Sequence, residues 1–552
     1  MEELVGSEEE EKNWRGIVIA LAVIAFILGM IALAIVLVSP NQDIYDPGSP
    51  LPLSMLTDDS LQLRRPGFNW VRGSDNYVLY IRREVNATDK FEQRYATLTD
   101  ISTAGSESIL VSQAVMSSKM RGAEEVKASP NTIYALVKLN SQTDSIITQA
   151  DYLVFDQLQS KMFKLSDKRL QYAAWIGTEE ELVYIEDNNI YYKERPDQPS
   201  QSVTSDGSSV ILNGLPDRVY RAYIFPNMES LVWISPTDSK FVFAKINTQE
   251  AGSYQTDPSH SSISNGAGSA TLYVFDKETR QLNLPSTQGY LTAVTWMDAS
   301  RVLVVWLSTD HQTEQYIICQ CSTGQCQVNY EYKSSALDLN WVGLYGTPVY
   351  NSKRKEYYTL LPDPAIENKL YRHVAAIKEM AVERRDPDIT FLTSHYWSDV
   401  EILALDEPRL YFLSTGSNFT HQHLYSLNIS SRETVCLSCQ LPITRSNQSV
   451  SYVEASFSHS SAYIYLSILG PDIPTFHVLK TDLLYTGNVA NTTQIDKWHY
   501  DTLITAYENI KLPQIEYLTV PLDHGAEASV KLVLPSIFNR AKGCKYETII
   551  IM

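Results

Sequence analysis

The residues of this chain best suited to chemistry are few, and most carry sulfur. Cys319 and Cys326 lie in CQCSTGQC, and Cys436 and Cys439 in CLSC. Close cysteine pairs either staple a short loop in an oxidising compartment or supply half of a zinc site. No second C-x-x-C and no spaced histidine pair completes such a site, so the disulfides Cys319–Cys326 and Cys436–Cys439 are expected, with Cys321 and Cys544 left over. His421 and His423 alternate at a strand end without a third ligand nearby in sequence, and are expected to be solvated. NGAGSA, inside the Ser- and Gly-rich stretch from Ser253 to Ala270, lacks the Lys and following Ser or Thr of a phosphate-binding loop and reads as a surface loop. The strained G-x-S-x-G turn that presents a hydrolase serine occurs nowhere in the chain. No catalytic group, cofactor or metal is expected.

The elements that would position such residues repeat. A strand, a turn containing Ser-Pro, Asp or Gly, and a second aromatic-rich strand recur as FNWVRGSDNYVLYIRR, VKASPNTIYALVKL, YAAWIGTEEELVYIEDNNIYY and SLVWISPTDSKFVFAKIN. Four more follow: AVTWMDASRVLVVWLS, TPVYNSKRKEYYTLLP, VEILALDEPRLYFLST and ASFSHSSAYIYLSILG. Eight such hairpins, beginning roughly every 45–65 residues, have the spacing of propeller blades, each hairpin being half a blade. One blade cannot bury both of its faces, so blades stack into a ring. A pair of β-sandwiches is the competing arrangement. The 34 Tyr against 15 Phe also suit half-exposed strands.

The formal charge of −19 leaves no basic face to displace counterions, so nucleic acid is not expected as a partner. Gly16 to Val38 is free of charge and long enough to cross a bilayer, and too long for the apolar part of a cleaved signal peptide. Lys12 and Arg15 precede it, whereas Ser39 to Leu63 holds no Lys or Arg, which places the tail in the cytoplasm and the body outside. Ala25 and Gly29 have the small-xxx-small spacing that lets helices approach in a membrane. Sequons at Asn86, Asn418, Asn428, Asn447 and Asn491 all lie beyond the span, as an extracytoplasmic glycoprotein requires.

A resemblance runs along nearly the whole chain. EELVGS, NWRGIVIALAVI and LVSP at the start, then LQYAAW, NNIYY, NGLPD, VTW, CSTGQC, LYFLST, CLSC, ASFSHS and the Gly-Pro followed by Pro474, resemble the dipeptidyl-peptidase-like proteins that accompany A-type voltage-gated potassium channels. That branch is similar to dipeptidyl peptidase IV and the wider prolyl oligopeptidase family. The resemblance implies an eight-bladed propeller, an α/β-hydrolase domain, dimerisation, and channel modulation without peptidase activity. The fold expected is therefore all-β: an eight-bladed β-propeller behind a single N-terminal transmembrane helix, with only the first strands of an α/β-hydrolase domain. Its parts would be a cytoplasmic tail (1–15), a signal-anchor helix (16–38), a stalk (39–65), the propeller (66–510) and an incomplete hydrolase start (511–552).

Active members of the family carry glutamates after N-G-x-x-D-W-x-Y, because a free substrate amine must be held by two desolvated carboxylates. Here Asn213, Gly214, Asp217 and Tyr220 match, but Arg221, Ala222 and Tyr223 occupy the acidic positions. The resemblance thus implies a degenerate clamp, with an Arg that repels an ammonium. The Arg that touches the substrate carbonyl in active members falls near Ser145, and the cysteine pair around SYVEASFSHS is missing. LPQIEYLTVPLD, SVKLVLPSIF and KYETIIIM resemble the opening strands of the hydrolase domain, and Met552 comes before any nucleophile elbow. The reading is a non-catalytic, type II plasma-membrane glycoprotein that modulates trafficking and gating of an A-type voltage-gated potassium channel, with a homodimer among its expected assemblies. The alternatives are a serine-type dipeptidyl peptidase whose catalytic half lies beyond this chain, and a propeller used for adhesion or binding.

Overall fold

The structure is a computed structural model. It describes residues 14–38 and 65–535, apart from 86–91, 103–105, 145–146, 227, 251–266, 278–279, 286–288, 335–340, 364–370, 381–387, 442–448, 487–492, 496–499, 502, 506–512 and 523–526, together with Phe538. Two compact units are present. One is formed by Gln62–Ile504 with Tyr517–Lys531, the other by Met1–Leu61 with Thr505–Glu516 and Leu532–Met552.

In the larger unit, eight antiparallel sheets follow one another along 67–111, 123–164, 172–202, 211–284, 290–333, 349–391, 399–436 and 452–495. They are blades 1 to 8, and each is built from consecutive strands. Seven have four strands. Blade 4 has five, because Ile211–Asn213 and Val232–Ile234 both pair with Phe241–Asn247. The eight segments expected from the sequence supply the first two strands of six blades, the first three strands of blade 3, and Val232–Ile234 with Phe241–Asn247 in blade 4, where Ile211–Asn213 comes before them.

Local chemistry explains the hairpins. The turn between Glu181–Glu186 and Asn189–Lys193 has two residues, Asp187 and Asn188, at φ 48° and 61°. Positive φ at both central positions is the type I′ geometry that matches strand twist, and Asp and Asn tolerate it. In blade 5, Asp298 Oδ1 accepts from Ser300 N at 2.8 Å and Ser300 Oγ at 2.7 Å, closing the turn before Arg301–Leu307.

The second strand of a blade is covered on both faces by its neighbours, and so reads as continuous apolar sequence. RVLVVWL at Arg301–Leu307 is buried from Val302 onward, and every residue of Glu356–Asp363 is buried. Some outer strands are short, as at Gln201–Ser202 and Thr434–Cys436, which limits the sheet edge they leave.

Apolar clusters join each blade to the next. Leu136 of blade 2 packs with Trp175 of blade 3, Leu303 of blade 5 with Tyr357 of blade 6, and Tyr411 of blade 7 with Ile464 of blade 8. The ring closes between blade 8 and blade 1, where Val78 and Tyr80 cluster with Phe476 and Val478. Phe68 stacks on Tyr465 at 4.1 Å, Trp70 Nε1 donates to Ser456 Oγ at 3.1 Å, and Arg65 pairs with Glu454 at 2.7 Å. Ser460 N of blade 8 also donates to Asp75 Oδ1 of blade 1 at 2.5 Å, and among the described residues neither blade lends a strand to the other.

The remaining elements are simple. The helix Trp14–Val38 has 25 residues, or about 37 Å at the usual rise, and is the one described helix long and apolar enough to cross a membrane. Gln514–Pro521 and Glu527–Leu534 pair in a two-stranded sheet, where the sequence placed the first two strands after the propeller. KYETIIIM lies outside the described residues.

Two expectations are corrected. His423 is buried rather than solvated, because it stands on an inner strand of blade 7, where its Nδ1 lies 3.1 Å from Ser438 Oγ. His421 is half-buried, and desolvation lowers the pKa of both rings. The Ser253–Ala270 stretch also ends sooner than a loop would, since Ser269 and Ala270 already belong to the strand Ser269–Asp276; its first fourteen residues lie outside the described set.

Candidate functional site

Residues 221–223 sit on a turn of blade 4 that the preceding motif builds. Asn213 Nδ2 donates to Asn188 O at 3.0 Å and to Asp206 Oδ1 at 3.1 Å, tying the Asp187-Asn188 turn of blade 3 to blade 4. Gly214 follows at φ +70°, where an added Cβ would come within 3.0 Å of Ile185 and Val232 side-chain carbons. Only glycine meets both demands without strain. Asp217 then starts a helical turn: its Oδ1 accepts from Tyr220 N at 2.9 Å and its Oδ2 from Gly268 N at 2.6 Å.

Tyr220–Ile224 continues as a π-helical turn, closed by Phe225 N donating to Tyr220 O at 2.7 Å. Tyr220 is fully buried, and its hydroxyl accepts from Leu291 N at 3.1 Å; burial raises its pKa well out of the physiological range. The matched motif residues therefore act as scaffold, each with a structural duty.

The positions they present hold no anion. Tyr223 is 73 % exposed and Ala222 is exposed, while the half-buried Arg221 reaches toward Glu229 O at 3.5 Å and leaves its Nε buried without a hydrogen-bond partner. The carboxylates on either side in sequence are engaged. Both oxygens of Asp217 accept backbone N–H groups, and Glu229 Oε1 lies 2.6 Å from Lys138 Nζ of blade 2. Among the described residues of this turn, an ammonium meets a guanidinium, and the flanking carboxylates Asp217 and Glu229 are both engaged. The Lys138–Glu229 pair was not legible in the sequence, because its members lie 91 residues apart on different blades.

Both disulfides are formed. Cys319 and Cys326 are cross-strand partners in blade 5, and Cys436–Cys439 follows the last strand of blade 7. Cys321 is a free, buried thiol whose pKa burial pushes up to about 12, which makes it a poor nucleophile. Asn418 is exposed and Asn428 half-buried, whereas Asn86, Asn447, Asn491, Ser145 and Cys544 lie outside the described residues.

The family model for the dipeptidyl peptidase IV (DPP IV) N-terminal region matches residues 129–475. The chain belongs to this family. Inactive dipeptidyl peptidase 10 from Rattus norvegicus is 26% identical over 524 residues, covering 87% of this chain and 61% of that protein. Prolyl endopeptidase FAP from Homo sapiens is 26% identical over 436 residues, covering 73% of this chain and 54% of that protein. The crystal structure of Porphyromonas gingivalis dipeptidyl peptidase 4 superposes with a TM-score of 0.67 at 13% identity, over 89% of this chain and 68% of that one, and shows the same fold. This chain thus spans about three fifths of the length of the inactive dipeptidyl peptidase 10 that it matches. Within this dipeptidyl peptidase IV N-terminal region, the NG turn and Asp217 keep their scaffolding bonds while the turn they support carries Arg, Ala and Tyr.

Proposed function

We propose that this chain is the propeller of a membrane-anchored dipeptidyl peptidase homologue that releases no dipeptides and acts instead on a membrane partner. The observation that carries the reading is the turn at 221–223, which offers a substrate amine no free carboxylate and one guanidinium. Loss of the group that orients a substrate costs on the order of a hundredfold or more in rate. The name of inactive dipeptidyl peptidase 10, a 26% identical relative, supports the same reading.

The partner we infer is an A-type voltage-gated potassium channel, reached through the apolar helix Trp14–Val38 and the propeller. The chain is then a type II glycoprotein of the plasma membrane, with the propeller outside and a homodimer as its expected assembly. Small residues Ala25 and Gly29 give the helix a face on which another membrane helix packs.

Two measurements test this. The full-length protein on the cell surface should release no N-terminal dipeptide above the background of untransfected cells. Its co-expression with an A-type channel should change the channel's surface level or inactivation rate. Efficient dipeptide release would favour a working peptidase, and unchanged currents at full surface expression would remove the channel as partner.

A further inference from the structure

His373, His395 and Asp399 converge where blade 6 meets blade 7. His373 stands on the strand Tyr371–Lys378, Asp399 opens the strand Asp399–Asp406, and His395 lies on the connection between them, in HYWSD. One side-chain ligand atom from each lies within 4.8 Å of the other two. The group has no signature in sequence, since His373 is 22 residues before His395 and neither lies in a metal-ligand spacing motif.

The group is enclosed. The side chains of His373 and Asp399 are wholly buried and that of His395 is 14% exposed. A carboxylate in such a place needs compensating charge or hydrogen bonds. Asp399 Oδ2 accepts from Thr393 Oγ1 at 2.6 Å and from Val374 N at 3.3 Å, and its Oδ1 lies 3.0 Å from His395 Nε2.

His373 is the member that ordinary core packing does not explain. Its Nδ1 stands 3.4 Å from Thr393 Oγ1 and 3.7 Å from Asp399 Oδ2, and its Nε2 has no hydrogen-bond partner. A fully buried imidazole normally makes short hydrogen bonds at its nitrogens. The separations suit a shared ion better. Around a tetrahedral zinc with bonds of about 2.0–2.1 Å, ligand atoms stand about 3.3 Å apart. The two histidine–carboxylate distances, 3.0 Å from His395 Nε2 to Asp399 Oδ1 and 3.7 Å from His373 Nδ1 to Asp399 Oδ2, lie on either side of that value, one to each carboxylate oxygen. Ring contacts set the orientation, with His395 stacked on Trp397 at 4.4 Å and edge-on to His373 at 4.6 Å.

We propose that His373, His395 and Asp399 bind one zinc ion, which pins blade 6 to blade 7. Two imidazoles select against calcium and magnesium, which take oxygen ligands, and three protein ligands leave a fourth position for water or another small donor. The other histidine–cysteine group, His423 with Cys436 and Cys439, is a different case, because its two sulfurs are bonded to each other.

The test uses the full-length protein, purified in detergent from secretory cells and dialysed against metal-free buffer. Zinc titration against a competing chelator dye should give about one high-affinity site per chain. Cobalt(II) should show the intense visible bands of a four-coordinate site. The variant H395Q alters the most exposed ligand and should fold, as judged by surface delivery and cooperative unfolding. Its zinc affinity should fall by at least the roughly tenfold that losing a mere supporting partner costs. Chelation should lower the thermal midpoint of the parent protein and leave that of H395Q unchanged. No zinc binding by the parent, equal binding by H395Q, or zinc that stays on H395Q but leaves with C436S/C439S would each overturn the assignment.

Discussion

Tyr220 Oη accepts a hydrogen bond from Leu291 N at 3.1 Å, so the turn that carries positions 221–223 is fastened to the first strand of blade 5 as well as to its own blade. Removing the hydroxyl leaves a buried N–H without its acceptor. Y220F should cost about 1–3 kcal/mol in unfolding free energy, with the propeller still formed. Urea unfolding followed by Trp fluorescence checks this, and a neutral result would mean that Leu291 N finds another acceptor.

Glu314 gives a pH dependence of definite sign. It lies in the third strand of blade 5, where Tyr316 Oη donates to its Oε2 at 2.9 Å, and burial pushes its pKa from 4.5 up to about 8. The folded state keeps a proton that the unfolded chain releases, so the stability from protonated Glu314 is complete below pH 4.5 and is lost as pH rises through 8. E314Q mimics the protonated form. Its unfolding free energy should match the parent's near pH 4.5 and exceed it above pH 8 by an amount on the order of a few kcal/mol. Parallel melts at the two pH values decide the matter.

The seam between blades 8 and 1 should depend on its rings more than on its charges. Phe68 lies flat on Tyr465, with an interplanar angle of 7°, and packs beside Trp70 and Tyr80. F68A should cost about 2–3 kcal/mol. Arg65 and Glu454 are 65% and 36% exposed, so R65A should cost less than about 1 kcal/mol. Chemical unfolding of the two variants side by side is the measurement, and a reversed order would place the closure in the ion pair.

Asn418 is the described sequon best placed for a glycan. It is exposed, and its Oδ1 accepts from Thr420 N at 3.1 Å and Thr420 Oγ1 at 2.7 Å, which leaves the amide nitrogen outward of the turn's bonds. Protein from secretory cells should lose one glycan's mass in N418Q, seen as a gel shift that glycosidase treatment abolishes. An unshifted N418Q band would put the modification elsewhere or the propeller on the cytoplasmic side.

The blades were legible because their inner hairpins combine two independent signals. TEEELVYIEDNNIYY shows strand composition and an Asp-Asn turn together, and both survive into the structure as a type I′ hairpin. The turn at Tyr220–Ile224 was legible only as a motif match. LPDRVYRAYIFP has no strand or helix period, and its shape comes from Gly268 and Leu291, which reach Asp217 and Tyr220 from 51 and 71 residues away. His423 was misjudged for a related reason: alternation in sequence says which side chains share a face, and the neighbouring Ser438 turn decides which face is covered. The fifth strand of blade 4 had no signal at all, since Val232–Ile234 and Ile211–Asn213 share one partner strand by topology alone.

The ring's closure has a mechanical meaning. Blades 1 and 8 each complete their sheets from their own chain segments, so no interlaced strand bolts the first blade to the last. A pull delivered along the chain ahead of Gly67 loads blade 1 first, and at the seam it is resisted by side-chain packing, the hydrogen bonds of Trp70 and Asp75 to blade 8 and the Arg65–Glu454 ion pair rather than by a ladder of backbone bonds in shear. Tension on the N-terminal side is therefore expected to part the ring at this joint, leaving blades 2 to 7 stacked on one another, which makes the blade 8 to blade 1 boundary the place where the propeller yields first under force.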